Sequence, residues 1–307
     1  MTALAAATGG LADQLLGEPP LRWHPVARYG SVMQHIEQRV YADRRVNGIA
    51  FTAIGTGLGI GTGLVLRRAI GPALATVAAT CMSAAGKMLD DEAVTMAGLL
   101  TAGDLPAARQ RVRSLVGRNT DQLDEHEISR AVIESVAENC VDAVTSSLFW
   151  AAIGGAPAVL AHRAVNTLDA MVGHHDERYE RFGWASARLD DVVNYVPARL
   201  TALAVALVTP ARARTILNVI RRDAPHHPSP NGGVVEAAFA ASLGVQLGGI
   251  NHYDDEIEDR GTLGDGPPPN ANTIAAAVRL RRTATAMTAA LLLAPGALVQ
   301  LLRRRSR

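Results

Sequence analysis

Apolar residues are bunched along this chain rather than spread. Ile49 to Leu66 is an uncharged run of 18 residues between Arg44-Arg45 and Arg67-Arg68, and Ala69 to Gly86 is a second run of 18 closed by Lys87. Thr283 to Leu302 is an uncharged stretch of 20 between Arg281-Arg282 and Arg303-Arg304-Arg305. About 20 apolar residues in a helix cross the roughly 30 Å of a bilayer's hydrocarbon core. Arginines at both ends of such runs fit lipid spans better than helices buried in a soluble core. The pattern therefore predicts spans near 49–66, 69–86 and 283–302.

Two further stretches leave the count between three and five. Residues 143–161 are uncharged but contain Gly154-Gly-Ala-Pro157. A proline inside a helix removes a hydrogen bond and crowds the preceding turn, so this stretch is expected to be broken, re-entrant or buried. Residues 198–211 are short and include Pro210. In the first run, glycine recurs every fourth residue as Gly55, Gly59 and Gly63, and again as Gly57 and Gly61. That spacing puts small residues on one face, where helix backbones can approach closely.

Between the runs lie polar segments without the period-two alternation of strands. The first reads as a helix from Asp90 to Ala102, a Gly103-Asp104 break, a second helix from Leu105 and a third from Thr120. Loops are expected at 225–233 and 261–269, with another glycine-marked break at Gln246-Leu-Gly-Gly249. With no repeat and no linker, residues 1–307 read as one domain. The fold class is all-α: a multi-pass integral membrane protein with large polar helical segments between its spans.

Composition narrows the chemistry. The 30 basic and 29 acidic residues give a net charge of +1, which offers no general attraction to nucleic acid. The 2 cysteines, Cys81 and Cys140, make neither a disulfide scaffold nor a cysteine zinc site. Lys87 is the only lysine, so a Schiff-base mechanism would depend on it alone. The N-terminus lacks the basic region of a secretory signal. Lys87 is not part of a phosphate-binding glycine loop, His126-Glu127 lacks the second histidine of a zinc protease, and no G-x-S-x-G elbow exists. The pairs His174-His175 and His226-His227 sit beside prolines or charges and read as solvated loop residues.

Three groups of polar residues stand out. Glu127, Glu134, Glu138 and Asp142 follow at spacings of seven, four and four, which stacks them on one face of an uninterrupted helix. Glu127 alone reads as a solvated position. Glu134 and Glu138 sit among small apolar residues, where a carboxylate must be paired, protonated or metal-bound. The second group joins Asn166 and Asp169 to Arg188, Asp190, Asp191, Asn194 and Arg199. Carboxylate and amide oxygens suit a hard ion such as Mg²⁺, and arginine forks suit phosphate. The third is the loop Arg221 to Gly233, whose prolines and glycines set a turn before a helix near Val234.

These residues lie in longer strings: Val116-Gly-Arg-Asn-Thr120, Ala131 to Asn139 with Asp142, Ala164 to Gly173, Ala187 to Asp191 with Asn194 to Arg199, Ser229-Pro-Asn231, and Leu243 to Gly249. With His24-Pro25, they resemble the CbiB/CobD family from about residue 10 to the last apolar run. The resemblance implies a cell-membrane, multi-pass adenosylcobinamide-phosphate synthase of cobalamin biosynthesis. Its substrates would be adenosylcobyric acid, whose free propionate is joined in an amide, and aminopropanol or aminopropanol phosphate. ATP would be co-substrate and Mg²⁺ cofactor, the corrinoid being substrate rather than cofactor. Membrane lipid and other enzymes of the pathway are the expected partners.

On this reading Glu134, Glu138, Asp142, Asp169 and Asp191 are the expected catalytic acids, with Glu138, Asp142 and Asp169 as metal ligands. His24, Arg118, Asn139, Asn166, Arg188, Asn194, Arg199, Ser229 and Asn231 are the expected substrate or phosphate contacts. The chain departs from the family pattern at Asn119, Ala143 and Arg163, where aspartate, glycine and lysine are usual, and in lacking a tryptophan after Ser229-Pro-Asn231. The competing class is a corrinoid-binding membrane carrier or scaffold without catalysis.

Overall fold

The computed structural model describes residues 1–17, 24–115, 119–174, 176–252 and 257–305, with side chains in 1–17, 24–115, 119–174, 176–250 and 259–294. In chain order the helices are α1 (Thr2–Leu16), α2 (Pro25–Val40), α3 (Arg45–Ile70), α4 (Pro72–Ser83), α5 (Gly86–Thr101), α6 (Leu105–Val112) and α7 (Glu125–Asn139). A π-helical turn, Cys140–Thr145, leads into α8 (Ser146–Val172), and α9 (Trp184–Val208), α10 (Ala213–Asp223) and α11 (Gly232–Leu243) follow. A hairpin of β1 (Leu247–His252) and β2 (Ile257–Leu263) precedes α12 (Ala271–Arg305). The fold is all-α apart from this hairpin, as far as the described residues go.

Local chemistry sets these boundaries. Asp104 caps α6 by accepting the Ala107 N–H at 3.1 Å, just after Gly103 at φ 73°. α7 begins at Glu125 rather than Thr120, because Asp124 and Glu127 form a reciprocal capping box with two bonds of 2.8 Å. Glu127 is therefore a cap, not merely a solvated position. The hairpin departs from the expected break at Gln246 to Gly249. Gly248 and Gly249 have φ of 72° and 88°, and a bulge shifts the register between Gly248 and Ile250. Glycines at a bulge erase the alternation by which a strand is read from sequence.

Among the described residues, three helical runs are long and apolar enough to cross a membrane: Arg45–Ile70, Glu125–Val172 and Trp184–Val208. The first contains the expected span 49–66, and the other two absorb 143–161 and most of 198–211. The expected span 69–86 is not one helix. Gly71-Pro72 starts α4 afresh and Ala84 is extended, leaving 12 helical residues. That is about 18 Å of rise, short of a bilayer core. The stretch 283–302 lies inside α12, which begins at Ala271; its side chains beyond residue 294 are outside those described. Arg281, expected to flank a span, is instead buried.

The chain forms two compact units built from alternating segments: residues 1–87, 142–197 and 289–307 in the first, 88–141 and 198–288 in the second. Several helices run from one unit into the other, so no linker marks a boundary in the sequence.

In the first unit α3 packs on α8 through its glycines. A Cβ on Gly59 would stand 2.6 Å from the Leu160 carbonyl oxygen, and one on Gly63 would meet the Pro157 backbone. Gly57 and Gly61 face open space. Around the rest of α3, Ile54, Leu58, Leu64 and Val65 are exposed, the aliphatic surface a lipid-facing helix presents. α8 breaks its own helix at Gly155 (φ 65°, ψ −152°), two residues before Pro157.

A Gly63→Leu protein is expected to lose about 1–3 kcal/mol or more, since backbone cannot yield as a flexible side chain does. Gly57→Leu should be near neutral. Thermal unfolding in detergent compares them; equal midpoints would sink the packing account.

The second unit has one apolar core. Met96, Ile128, Ile133, Phe239, Leu247, Leu263 and Ile274 are buried there, drawn from α5, α7, α11, the hairpin and α12.

Candidate functional site

In the first unit, α8 and α9 enclose a polar network between apolar faces. Asn194 is fully buried and donates its Nδ2 to Asp190 Oδ2 at 2.9 Å. Its Oδ1 receives Ser146 Oγ at 2.6 Å and meets His162 Nε2 at 2.8 Å. A carboxylate only accepts, so Asp190 fixes which end of the Asn194 amide carries hydrogens. The Ser146 hydroxyl and His162 Nε2 must then both donate. Asn166 and Asp169 flank Asp190, Asn166 hydrogen-bonding its carboxylate, and its buried Oδ1 has no partner at ordinary hydrogen-bond geometry among the described residues. Such an atom is costly in an apolar setting unless something else binds it.

The same unit holds a cavity of about 510 Å³. Its wall includes Tyr29, Leu58, Leu66 and Leu160, with Arg28 and Arg163 among them. Arg163 Nη1 donates to Asn166 Oδ1 at 3.1 Å, linking the cavity to the acids. The size and the few convergent polar groups suit a small-molecule pocket.

In the second unit, Glu138 at the end of α7, Glu236 inside α11 and His227 in the preceding loop converge. One ligand atom from each lies within 4.8 Å of the others. His227 Nε2 stands 3.3 Å from Glu236 Oε1, and these side chains are 1% and 0% exposed. Arg260 Nη1 approaches Glu138 Oε1 at 3.6 Å. Burial holds the His227 imidazole below its ordinary pKa. The loop is shaped by its own polar atoms: Ser229 Oγ accepts the Gly232 N–H at 3.0 Å, which starts α11. Arg199 donates to Asn231 Oδ1 at 2.7 Å and to the Pro230 carbonyl at 3.0 Å.

The acids stacked by sequence spacing are thus given separate places. Glu134 is buried and accepts the Gly248 N–H at 2.8 Å, tying β1 to α7. Glu138 joins the histidine cluster. Asp142 sits in the π-helical turn, where more residues per turn rotate it off the stripe, and it belongs to the first unit. Asp169 lies beside Asp190, whereas Asp191 points to the half-exposed side, 3.7 Å from Arg188. Asn139 Nδ2 bonds back to the Ser135 carbonyl at 2.9 Å, and His24 is buried as the residue before α2. Ser229, Asn231 and Arg199 hold the loop together. Arg118 lies outside the described residues.

Asp190, grouped with Asn166 and Asp169 from the sequence but not among the expected catalytic acids, completes the first cluster, and His227, Glu236 and Arg260, which sequence reasoning did not select, complete the second. Glu236 had a visible signal, as the one charged residue between Val234 and Leu243.

The chain matches the family described as CobD/Cbib protein over residues 6–281. The cobalamin biosynthesis protein CobD of Mycobacterium tuberculosis (strain ATCC 25618 / H37Rv) is 44% identical over 299 residues, 94% of each chain. That of Chromobacterium violaceum is 40% identical over 299 residues, 94% of this chain and 95% of its own. The Geobacter metallireducens protein of the same name is 42% identical over 274 residues, 84% and 85% of the two chains. No solved structure matches. A match of this length, with the apolar helices and polar clusters described above inside it, makes the chain a member of the CobD/CbiB family.

Proposed function

We propose that this protein is an adenosylcobinamide-phosphate synthase of the cell membrane. It joins (R)-1-aminopropan-2-ol, or its phosphate, to the free propionate carboxylate of adenosylcobyric acid. Membership of the family gives the chain a role in cobalamin biosynthesis, and the chemistry extends that role. A carboxylate resists an amine because it is anionic and lacks a leaving group. ATP as co-substrate converts it to an acyl phosphate, and the amine then displaces phosphate to form the amide.

The observation that carries this reading is the buried acid and amide network of the first unit, joined through Asn166 to Arg163 in the wall of that unit's cavity. Asp169, Asp190 and Asn166 offer oxygen ligands, the set a hard ion takes, and the Oδ1 of Asp190, which has no hydrogen-bond partner among the described residues, fits it. Mg²⁺ entering with ATP would neutralise phosphate charge there. Arg28 and Arg163 at the cavity are placed to hold an anionic group, and Arg188 with Asp191 borders the half-exposed side. One of the carboxylates takes the proton of the attacking ammonium.

Purified protein in detergent, given adenosylcobyric acid, aminopropanol phosphate, ATP and Mg²⁺, should yield the amide by mass spectrometry. Omitting any one component should abolish it, with free aminopropanol tested in place of its phosphate. If the corrinoid binds but neither amine is joined, the chain is a membrane carrier or a scaffold for neighbouring pathway enzymes.

A further inference from the structure

We propose that Glu138, His227 and Glu236 form a binding site for a first-row divalent transition ion, of the manganese-to-zinc series, separate from Mg²⁺ that travels with a nucleotide. The site stands whether or not the chain makes an amide.

The donor set comes first. Two carboxylates and one neutral imidazole balance a doubly charged cation. Mg²⁺ takes oxygen almost exclusively and keeps most of its waters, whereas an imidazole nitrogen favours the later first-row ions. Three protein ligands with further positions open is the pattern of a working metal site rather than a closed structural one.

Geometry agrees. Ligand atoms about 2.1 Å from a common ion stand roughly 3–4.2 Å from each other. The Glu236–His227 edge is already 3.3 Å, and the whole trio lies within 4.8 Å. Closing the longest edge from 4.8 Å to a tetrahedral edge of about 3.4 Å takes at most about 1.4 Å, shared between two side chains. Space is kept by Gly232, where a Cβ would come within 3.2 Å of the His227 ring and 3.3 Å of Glu138 Oε1.

The independent sign of a ligand is His227 itself. Its Nε2 is buried, aimed at the two carboxylates, and has no hydrogen-bond partner among the described residues. Ser229 offers its carbonyl to Nδ1 at 3.2 Å and its N–H at 3.1 Å. With Nδ1 accepting the Ser229 N–H, Nε2–H points at Glu236; with Nδ1–H donating to the Ser229 carbonyl, the Nε2 lone pair faces the carboxylates, and a cation between them is what that tautomer would bind. Backbone orientation of the non-ligating nitrogen is the usual support for a metal-bound histidine. Glu138 and Glu236 also contact one another, so they share either a proton or a cation. Both of these ligands ride on helices of the same unit, and Glu138 forms the half-exposed edge where water or a substrate oxygen would complete the shell.

The test uses full-length protein in detergent with any affinity tag removed, stripped with chelator and reloaded separately with Mn²⁺, Zn²⁺ or Mg²⁺. Elemental analysis after gel filtration should find about one Mn²⁺ or Zn²⁺ per chain, with millimolar Mg²⁺ unable to displace it. Pulsed electron paramagnetic resonance of the Mn²⁺ form should show coupling to an imidazole nitrogen. His227→Gln should remove that coupling, and Glu236→Gln should cut retained metal at least tenfold, with circular dichroism reporting the fold. The nitrogen coupling in the unaltered protein needs no variant, so a misfolded mutant leaves the proposal testable. No retained ion, equal retention of Mg²⁺, or absent nitrogen coupling would each overturn it, and the two acids would then share a proton.

Discussion

An Asp90→Ala protein should be less stable by about 3–5 kcal/mol, the usual result of removing one partner from a buried ion pair. Asp90 is on α5 and is 0% exposed. Arg281 on α12 is also 0% exposed and grips it with both arms, Nε to Oδ1 at 2.6 Å and Nη2 to Oδ2 at 2.5 Å. Arg282 adds Nε to Oδ2 at 2.7 Å, though its side chain is 56% exposed and can turn to water. Arg281 has no such exit. The alanine variant withdraws both carboxylate oxygens from a guanidinium that stays buried. A double variant, Asp90→Leu with Arg281→Met, should recover much of the loss, because apolar replacement of a whole buried pair is often neutral. Unfolding midpoints in detergent, followed by circular dichroism, separate the cases. If Asp90→Ala falls within about 1 kcal/mol of the parent protein, the pair carries much less than burial implies.

The second large effect concerns turnover. Asp190→Asn and Asp169→Asn should each lower amide formation at least ~100-fold, or about 2.7 kcal/mol of transition-state stabilisation, with the protein still folded. Asparagine keeps the shape of aspartate, and at position 190 its Oδ1 can still accept from Asn194. What it removes is a negative charge on an acid whose second oxygen is buried with no hydrogen-bond partner among the described residues. Asp191→Asn, on the half-exposed side near Arg188, should cost less than tenfold. Steady-state rates at saturating ATP settle the comparison. Near-normal turnover in both Asp169→Asn and Asp190→Asn would remove this network from the chemistry.

The contrast between Asp190 and Asp191 shows how far the sequence could be read. Both were visible as neighbours in Arg188-Leu-Asp-Asp191, but only Asp190 stands four residues before Asn194, the spacing that stacks side chains on one helix face. Asp191, three residues before Asn194, shares that face by period as well, and Ser146, which donates to Asn194, was not legible because it lies 48 residues away. Glu138 was singled out by its apolar neighbours. Its companion Glu236 had the same signal but lies outside the strings that carry the family resemblance. His227 was misjudged for a local reason: prolines on either side of a histidine pair suggest an exposed loop, yet the Ser229 turn folds the ring inward.

The long runs behaved similarly. The glycine face of α3 and the break near Pro157 follow from spacing and proline chemistry, and both are present. The failed span at 69–86 came from counting apolar residues without weighting Gly71-Pro72, a pair that ends one helix and begins another. Arg281 looked like an interfacial anchor because nothing near it in sequence reveals Asp90, 191 positions earlier.

The pairing of α3 with α8 also sets an order of events during synthesis. Gly63 meets Pro157 only after roughly 90 further residues have been made, an interval on the order of 5–20 s at cellular translation rates. Through that interval α3 lies in lipid with its small-residue face uncovered, the kind of surface on which helices from different chains can pair. Folding of the first unit is thus a race between the ribosome delivering α8 and an encounter with a second nascent copy. Slower elongation, or crowding of the membrane by overexpression, shifts that race toward the wrong partner.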